Sequence, residues 1–364
     1  MIVRVLQVIR AMNFGGAETF IMNVYRNIDR SKVQFDFLVS GEGKYDEEIR
    51  KMGGKIYKIP YITEVGQNKY VKELKQFFMT HPEYKIVHSH IDQVSGIIVQ
   101  TANKCKIPTI ISHSHNTKNS NGFIGKIYKK YLQCKINKNA NIKIACGYDA
   151  AKWLYKKEAD KAIIINNGID VDKFEFSEES REKIRNQLGI KSSTIVIGHV
   201  GRFAEQKNHK FLLDIFKEYN KKNEDSVLLL VGDGSLREKI NDKINSLNIR
   251  DKVMLLGNRN DVNELYSAFD VLVFPSLYEG LSVCLIEAQC NGLDIIASDT
   301  IDKATNIAGK IIFKSLKDSP KEWSEKLDSL NLSRQKVNRE DVIKYDIKKI
   351  AYDMQTIYLE GAQK

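Results

Sequence analysis

Short runs rich in valine and isoleucine alternate with helical patterns along the whole chain, and they do so in two successive sets. In the first half the runs fall at about 2–9, 33–39, 55–59, 85–88, 109–113, 142–146 and 162–165, with helical spacing between most of them, as at 19–28 and 70–79. The second half repeats the plan at 194–200, 227–231, 253–256, 271–274, 295–297 and 310–313. Such runs need apolar cover on both faces, so each set predicts a parallel sheet between layers of helices. Two doubly wound α/β domains facing each other follow, and 364 residues suffice for each to bury its own core. Asn166, Asn167 and Gly168 supply turn chemistry at the junction, and the polar tract 177–182 belongs to the linker region. The domains are expected at 1–175 and 176–344, with 345–364 as a terminal helix.

The net charge of +11 lies wholly in the first half, where residues 1–175 carry 28 Lys and Arg against 17 Asp and Glu. Between Asp92 and Asp149 there are nine lysines and no acidic residue, which suits an anionic partner. No helix-turn-helix, zinc or RNA-binding signature accompanies that charge, so nucleic acid is not expected as the partner. The five cysteines are odd in number and include no Cys-x-x-Cys pair, which argues against a disulfide framework and a zinc site and favours a reducing cytoplasm. The apolar start is interrupted by Arg4, Gln7 and Arg10 and reads as a first strand rather than a secretory or membrane segment.

In an open parallel sheet, ligands bind beyond the carboxyl ends of the strands, and the chemistry-bearing residues of this chain cluster there. After 271–274 the loop through Glu279 and Gly280 leads into a helix at about 282–290 that Gly292 stops. The backbone N–H groups of Leu281, Ser282 and Val283 then stand at a helix N-terminus, where they favour a phosphate. Glu287 sits a turn deeper among Val283, Leu285, Ile286 and Ala288, where a carboxylate needs a partner such as a pair of ribose hydroxyls. The competing reading leaves Glu279 and Glu287 as solvated surface residues. In the first half, Gly15 and Gly16 follow the first strand and allow a phosphate or sugar close to the backbone, without forming a G-x-G-x-x-G fingerprint. His88 and His90 follow one strand, and His113 and His115 another; the latter two share a side if extended.

The spacing Glu279-x7-Glu287 resembles the paired-glutamate motif of retaining GT-B glycosyltransferases of the fourth glycosyltransferase family, and the resemblance spans nearly the whole chain. It implies the GT-B fold, two Rossmann-like domains facing across a cleft, with the terminal helix crossing back to the first. Within it, Gly201-Arg202 and Lys207-Asn208 are similar to the clamp that neutralises the donor diphosphate, Gly232 to a glycine turn, and Arg259 and Val262 to the element touching the base. Gly15-Gly16-Ala17-Glu18 matches the loop over the donor. The family histidine near the reacting sugar corresponds to His115, with His113 as rival, while His88 is expected to be structural. Glu279 would hold the donor sugar and Glu287 the ribose; Gly280, Leu281 and Ser282 would meet phosphate. No metal ion or further cofactor is implied, because arginine, lysine and helix amides neutralise the diphosphate.

The chain departs from the family where Ser282 and Asp294 replace proline and where 299–304 replaces a glycine-rich loop, as in a subgroup resembling exopolysaccharide and capsule enzymes. The implied reaction moves a sugar from a nucleotide-diphosphate donor, UDP favoured, to a saccharide or lipid-linked saccharide acceptor. A nucleotide-sugar epimerase and a catalytically silent partner subunit are the alternatives. Residues 123–132 interleave Lys126, Lys129 and Lys130 with aromatic and aliphatic residues at helical spacing, as membrane-surface helices do, although ordinary packing gives the same pattern.

Overall fold

Alternate residues of β1 (Val3–Val8) enter different cores. Leu6 and Val8 pack with Tyr70, Leu74 and Ile98 on one face, and Val5 packs with Phe20, Tyr25 and Phe37 on the other. A strand buried on both faces must be apolar at nearly every position, which is why these runs show little polar alternation. The structure, a computed structural model, describes residues 2–116, 123–279 and 281–363, the side chains of 123–127 excepted.

The first sheet joins β1 to β2 (Val33–Val39), β3 (Ile56–Lys58), β4 (Ile86–Ser89), β5 (Thr109–Ser114), β6 (Ile142–Ala145) and β7 (Ile163–Ile164), in the order β3-β2-β1-β4-β5-β6-β7. Every neighbouring pair is parallel. The second sheet contains β8 (Ile195–Val200), β9 (Ser226–Val231), β10 (Val253–Gly257), β11 (Val271–Phe274), β12 (Asp294–Ser298) and β13 (Ile311–Lys314), in the order β10-β9-β8-β11-β12-β13. It is parallel throughout as well. Its faces divide in the same way: Leu272 and Phe274 face one core, Val271 and Val273 the other. The chain is α/β with two doubly wound parallel sheets, as the sequence predicts.

The strand order reverses between β1 and β4 in one sheet and between β8 and β11 in the other. Connections leave such a point in opposite directions and open a crevice at the carboxyl ends. The compact units run Met1–Gly168 with Tyr345–Lys364, and Ile169–Lys344. The helix Ile347–Gly361 is capped by Asp346, whose side chain accepts from the Lys348 N–H, and buries Ile347, Ile350, Met354 and Tyr358 in the core beneath β1. Thr109 Oγ1 fixes its far end by donating to the Gly361 carbonyl at 2.7 Å. The helix Ile62–Thr80 begins well before the predicted 70–79 because Gly66, at φ +75°, kinks it and breaks the spacing of its first turns.

Candidate functional site

At the switch point of the second unit, β8 continues into Gly201 and Arg202 and β11 into Pro275, and side chains between them stitch the two loops together. Gln206 Nε2 donates to the Tyr278 carbonyl at 2.9 Å, Asn208 Nδ2 donates to the Pro275 carbonyl at 3.1 Å, and the Leu277 N–H donates to the Gln206 carbonyl at 2.8 Å. Sequence reading gave Gln206 no part and placed Asn208 only beside Lys207 in the phosphate clamp, since both bind backbone atoms of a loop some seventy positions away. The stitch brings Lys207 Nζ within 2.8 Å of Glu279 Oε1 and 4.4 Å from the centre of the Phe274 ring. Both side chains of the pair are largely buried, at 14% and 9% exposure. The two residues expected to take separate parts of a donor thus hold each other in the ligand-free protein.

A cavity of about 470 Å³ lies beside the ends of β8, β9 and β10, and Arg202, Gly232, Arg259 and Val262 all line it. Four of the residues singled out from sequence therefore share one space. Gly232 has φ +130°, and a Cβ there would fall 2.2 Å from the Gly201 carbonyl oxygen, so only glycine lets these strand ends close up. Arg202 is exposed and has no ion-pair partner among the described residues. Arg259, by contrast, is bound bidentately to Asp261, Nε to Oδ1 at 2.8 Å and Nη2 to Oδ2 at 2.5 Å, which leaves it less free than the sequence suggested. Lys207, Glu279 and Glu287 lie outside this cavity's lining.

The helix Val283–Cys290 starts from Ser282, which is buried and makes no side-chain cap. Among the described residues the N–H groups of Leu281, Ser282 and Val283 have no acceptor; Gly280 lies outside the described residues. Gly292, at φ +75°, ends the helix as predicted. Glu287 Oε2 accepts from the Tyr266 hydroxyl at 3.0 Å, and burial pushes its carboxyl up to about 7. The second side of the helix is held by Gln289, whose oxygen accepts from the N–H groups of Ile307 and Ala308 while its amide donates to the carbonyls of Leu285 and Thr305. Neither Tyr266 nor Gln289 had a local sequence signal.

In the first unit a cavity of about 290 Å³ opens at the ends of β1, β4 and β5, lined in part by Gly16, Glu18, His90, Asp92, His115 and Asn116. Gly15 precedes the helix Gly16–Asn27, and a Cβ on it would meet the Glu18 carboxylate at 2.2 Å. At Gly16 a Cβ would enter open space. His115 lines the cavity, with its ring stacked at 4.1 Å on His113, which is fully buried behind it against Phe20. The expectation that the two share a side is met. His88 is only half satisfied: Nδ1 meets the Tyr358 hydroxyl at 2.8 Å, and Nε2 has no partner among the described residues. His88, His90 and His113 come close enough that their nitrogens lie within 4.8 Å of one another. Both nitrogens of His90 are already engaged, with Gln7 and His115, so a metal would have to displace those bonds.

Residues 180–349 match the family described as glycosyl transferases group 1. Over 360 residues the chain is 35% identical to EpsF of Bacillus subtilis (strain 168), a glycosyltransferase by its assigned name, covering 97% of this chain and 93% of the relative. Over 230 residues it is 30% identical to an Escherichia coli UDP-Gal:alpha-D-GlcNAc-diphosphoundecaprenol alpha-1,3-galactosyltransferase, covering 60% of this chain and 58% of that one. The Anabaena protein Alr3699/HepE, solved in complex with UDP, superposes with a TM-score of 0.73 at 18% identity, covering 100% of this chain and 98% of the other. With the paired glutamates at one switch point and near full-length likeness to such relatives, the chain belongs to the group 1 glycosyltransferases and is an enzyme of the GT-B fold.

Proposed function

We propose that this enzyme transfers a sugar, with retention and without a metal ion, from a UDP-sugar to a lipid-linked saccharide during assembly of a cell-surface polysaccharide. The observation that carries the reading is the second unit's switch point. It combines an open cavity holding an unpaired arginine, a lysine in a neighbouring loop, free helix amides and a half-buried carboxylate. A nucleoside diphosphate has the matching parts: two phosphates for Arg202, Lys207 and the N–H groups at Ser282, and two ribose hydroxyls for Glu287. Glu279 takes the donor sugar's hydroxyls, and His115, in the other unit's cavity, takes the reacting sugar. The protein's contribution is positioning and stabilisation of the departing diphosphate, which two cations and a helix terminus supply. The relatives named above support UDP as the donor nucleotide and a diphospholipid-linked acceptor.

A panel of UDP-, GDP- and ADP-sugars incubated with the purified protein in EDTA tests this reading. Slow hydrolysis of a UDP-sugar is expected, undiminished by the chelator. Activity lost in EDTA and restored by magnesium or manganese would overturn the metal-free mechanism, and release of an epimerised or unchanged sugar nucleotide would overturn transfer.

A lipid-linked acceptor brings the enzyme to a membrane surface. No helix among the described residues is long and apolar enough to cross one. On the helix Phe123–Asn139, Tyr128, Lys130 and Tyr131 are exposed and Lys129 is half-buried, while the side chain of Lys126 lies outside the described residues. We infer peripheral docking through this helix on the inner face of the cell membrane, each lysine contributing roughly 1 kcal/mol on an anionic surface. Replacing Lys126, Lys129 and Lys130 by glutamine should release the protein from anionic vesicles at low salt and spare donor hydrolysis. Equal sedimentation of wild type and triple variant would remove the docking helix from the model of function.

A further inference from the structure

A chain of four buried polar side chains runs from the terminal helix to His115. Gln7, in the middle of β1, is 1% exposed, and Tyr358, on the helix Ile347–Gly361, is 1% exposed. Gln7 Nε2 donates to the Tyr358 hydroxyl oxygen at 3.3 Å, and that hydroxyl, with no other acceptor among the described residues, donates to His88 Nδ1 at 2.8 Å. The Gln7 carbonyl oxygen can then only accept, so His90 Nε2, at 2.8 Å, carries a proton. A neutral His90 has a bare Nδ1. It lies 2.9 Å from His115 Nε2, which must be the donor. His115 itself is kept neutral by burial, which lowers it to about 3. The neighbouring Asn116 donates its side-chain amide to Asp92 Oδ2 at 2.6 Å, which ties the loop after β5 to the loop after β4.

We propose that Gln7, His90 and Tyr358 are positioning residues that hold His115 in the Nε2–H tautomer and so present its Nδ1 lone pair to the cavity as an acceptor for a sugar hydroxyl. The opposite tautomer would offer an N–H there and reject the same hydroxyl proton. The relay explains why Gln7 interrupts the buried end of β1: its amide costs desolvation there, and both of its ends are met by partners. It also explains the position of the terminal helix, since Tyr358 orients the Gln7 amide and that amide decides which proton arrangement the histidines adopt.

The proposal rests on the reading of His115 as the sugar-facing residue, and the test separates the two. Nitrogen-15 NMR of the histidine side chains in the ligand-free wild type reads the tautomer directly; His115 is expected protonated at Nε2 and bare at Nδ1. In turnover, His90→Leu should lower kcat by about tenfold, the worth of one neutral hydrogen bond, with UDP affinity unchanged because the other unit binds it. His90→Asn, whose side-chain oxygen stands where Nδ1 stood, should recover most of that loss. If His90→Leu does not fold, Gln7→Met should show the same fall in kcat. A His115 protonated at Nδ1, or equal kcat in the Leu and Asn variants, overturns the relay. An unchanged kcat in His115→Ala overturns the role of His115 and leaves the tautomer result standing on its own.

Discussion

Lys207→Ala is expected to weaken UDP binding by roughly 10–100-fold, the worth of a charge-assisted hydrogen bond to phosphate of about 1.5–3 kcal/mol, while uridine binds as before. Turnover should fall further, by about 10²–10³, because the diphosphate gains charge as the glycosidic bond breaks and a donor aimed at it acts mainly in the transition state. The structure adds a complication that the sequence did not show. Lys207 is paired with Glu279 at 2.8 Å, so the substitution also strands a carboxylate that is 9% exposed. A buried charge left alone is destabilising, and the single variant should melt below the wild type. Lys207→Ala combined with Glu279→Gln removes that penalty and should recover the melting temperature without recovering UDP affinity. An ammonium has three donors, so Lys207 can hold Glu279 and a phosphate oxygen together, and donor binding does not have to break the pair. Calorimetry with UDP and with uridine decides the matter: equal losses for both ligands would show that Lys207 serves the loop rather than the phosphate.

The fold was legible because both sheets are buried on two faces. A strand such as Val271–Phe274 has no choice but to be apolar throughout, and the turns between such runs carry the glycines. Arg202, Gly232, Arg259 and Val262 were legible for a related reason: residues just past a parallel strand are brought to one edge by the topology alone, and here they line one cavity. What escaped was pairing across long sequence distance. Gln7 and Tyr358 are 351 positions apart, His88 and Tyr358 are 270, and nothing local announces that a polar residue in one strand waits for another at the far end of the chain. The same holds for Lys207 and Glu279, which sequence motifs assign to different parts of a ligand and which meet only because Gln206 and Asn208 bind the backbone of the opposing loop. His88, expected to be a satisfied structural residue, keeps one nitrogen without a partner among the described residues, while its ring stacks parallel to that of His113 at 5.4 Å.

Glu287 should set the pH dependence of nucleotide binding. Burial raises its carboxyl to about 7, so in the ligand-free protein it is protonated over the range where an unfolded chain has already ionised it. The folded state therefore holds the extra proton between the ordinary carboxyl value and about 7, and stability falls as pH rises through that window. Glu287→Gln keeps an acceptor for the Tyr266 hydroxyl and removes the cost of ionisation. It should raise stability by about 3 kcal/mol at pH 8, visible as a melting temperature roughly 6–12 °C above wild type, with the two proteins converging below about pH 4.5. Ligand binding runs the other way. A ribose offers two hydroxyl donors, which favour the carboxylate, so uridine should bind the wild type more weakly as pH drops below 7, approaching tenfold per unit. Uridine serves here because it has no phosphate to titrate. In Glu287→Gln the affinity should be lower at pH 8 and flat with pH, which makes this carboxylate a place where stability has been given up for binding. Uridine affinity that is flat in both proteins between pH 6 and 8 would show that the ribose is held elsewhere, and a variant no more stable than wild type at pH 8 would show that the buried carboxylate is already satisfied by Tyr266 alone.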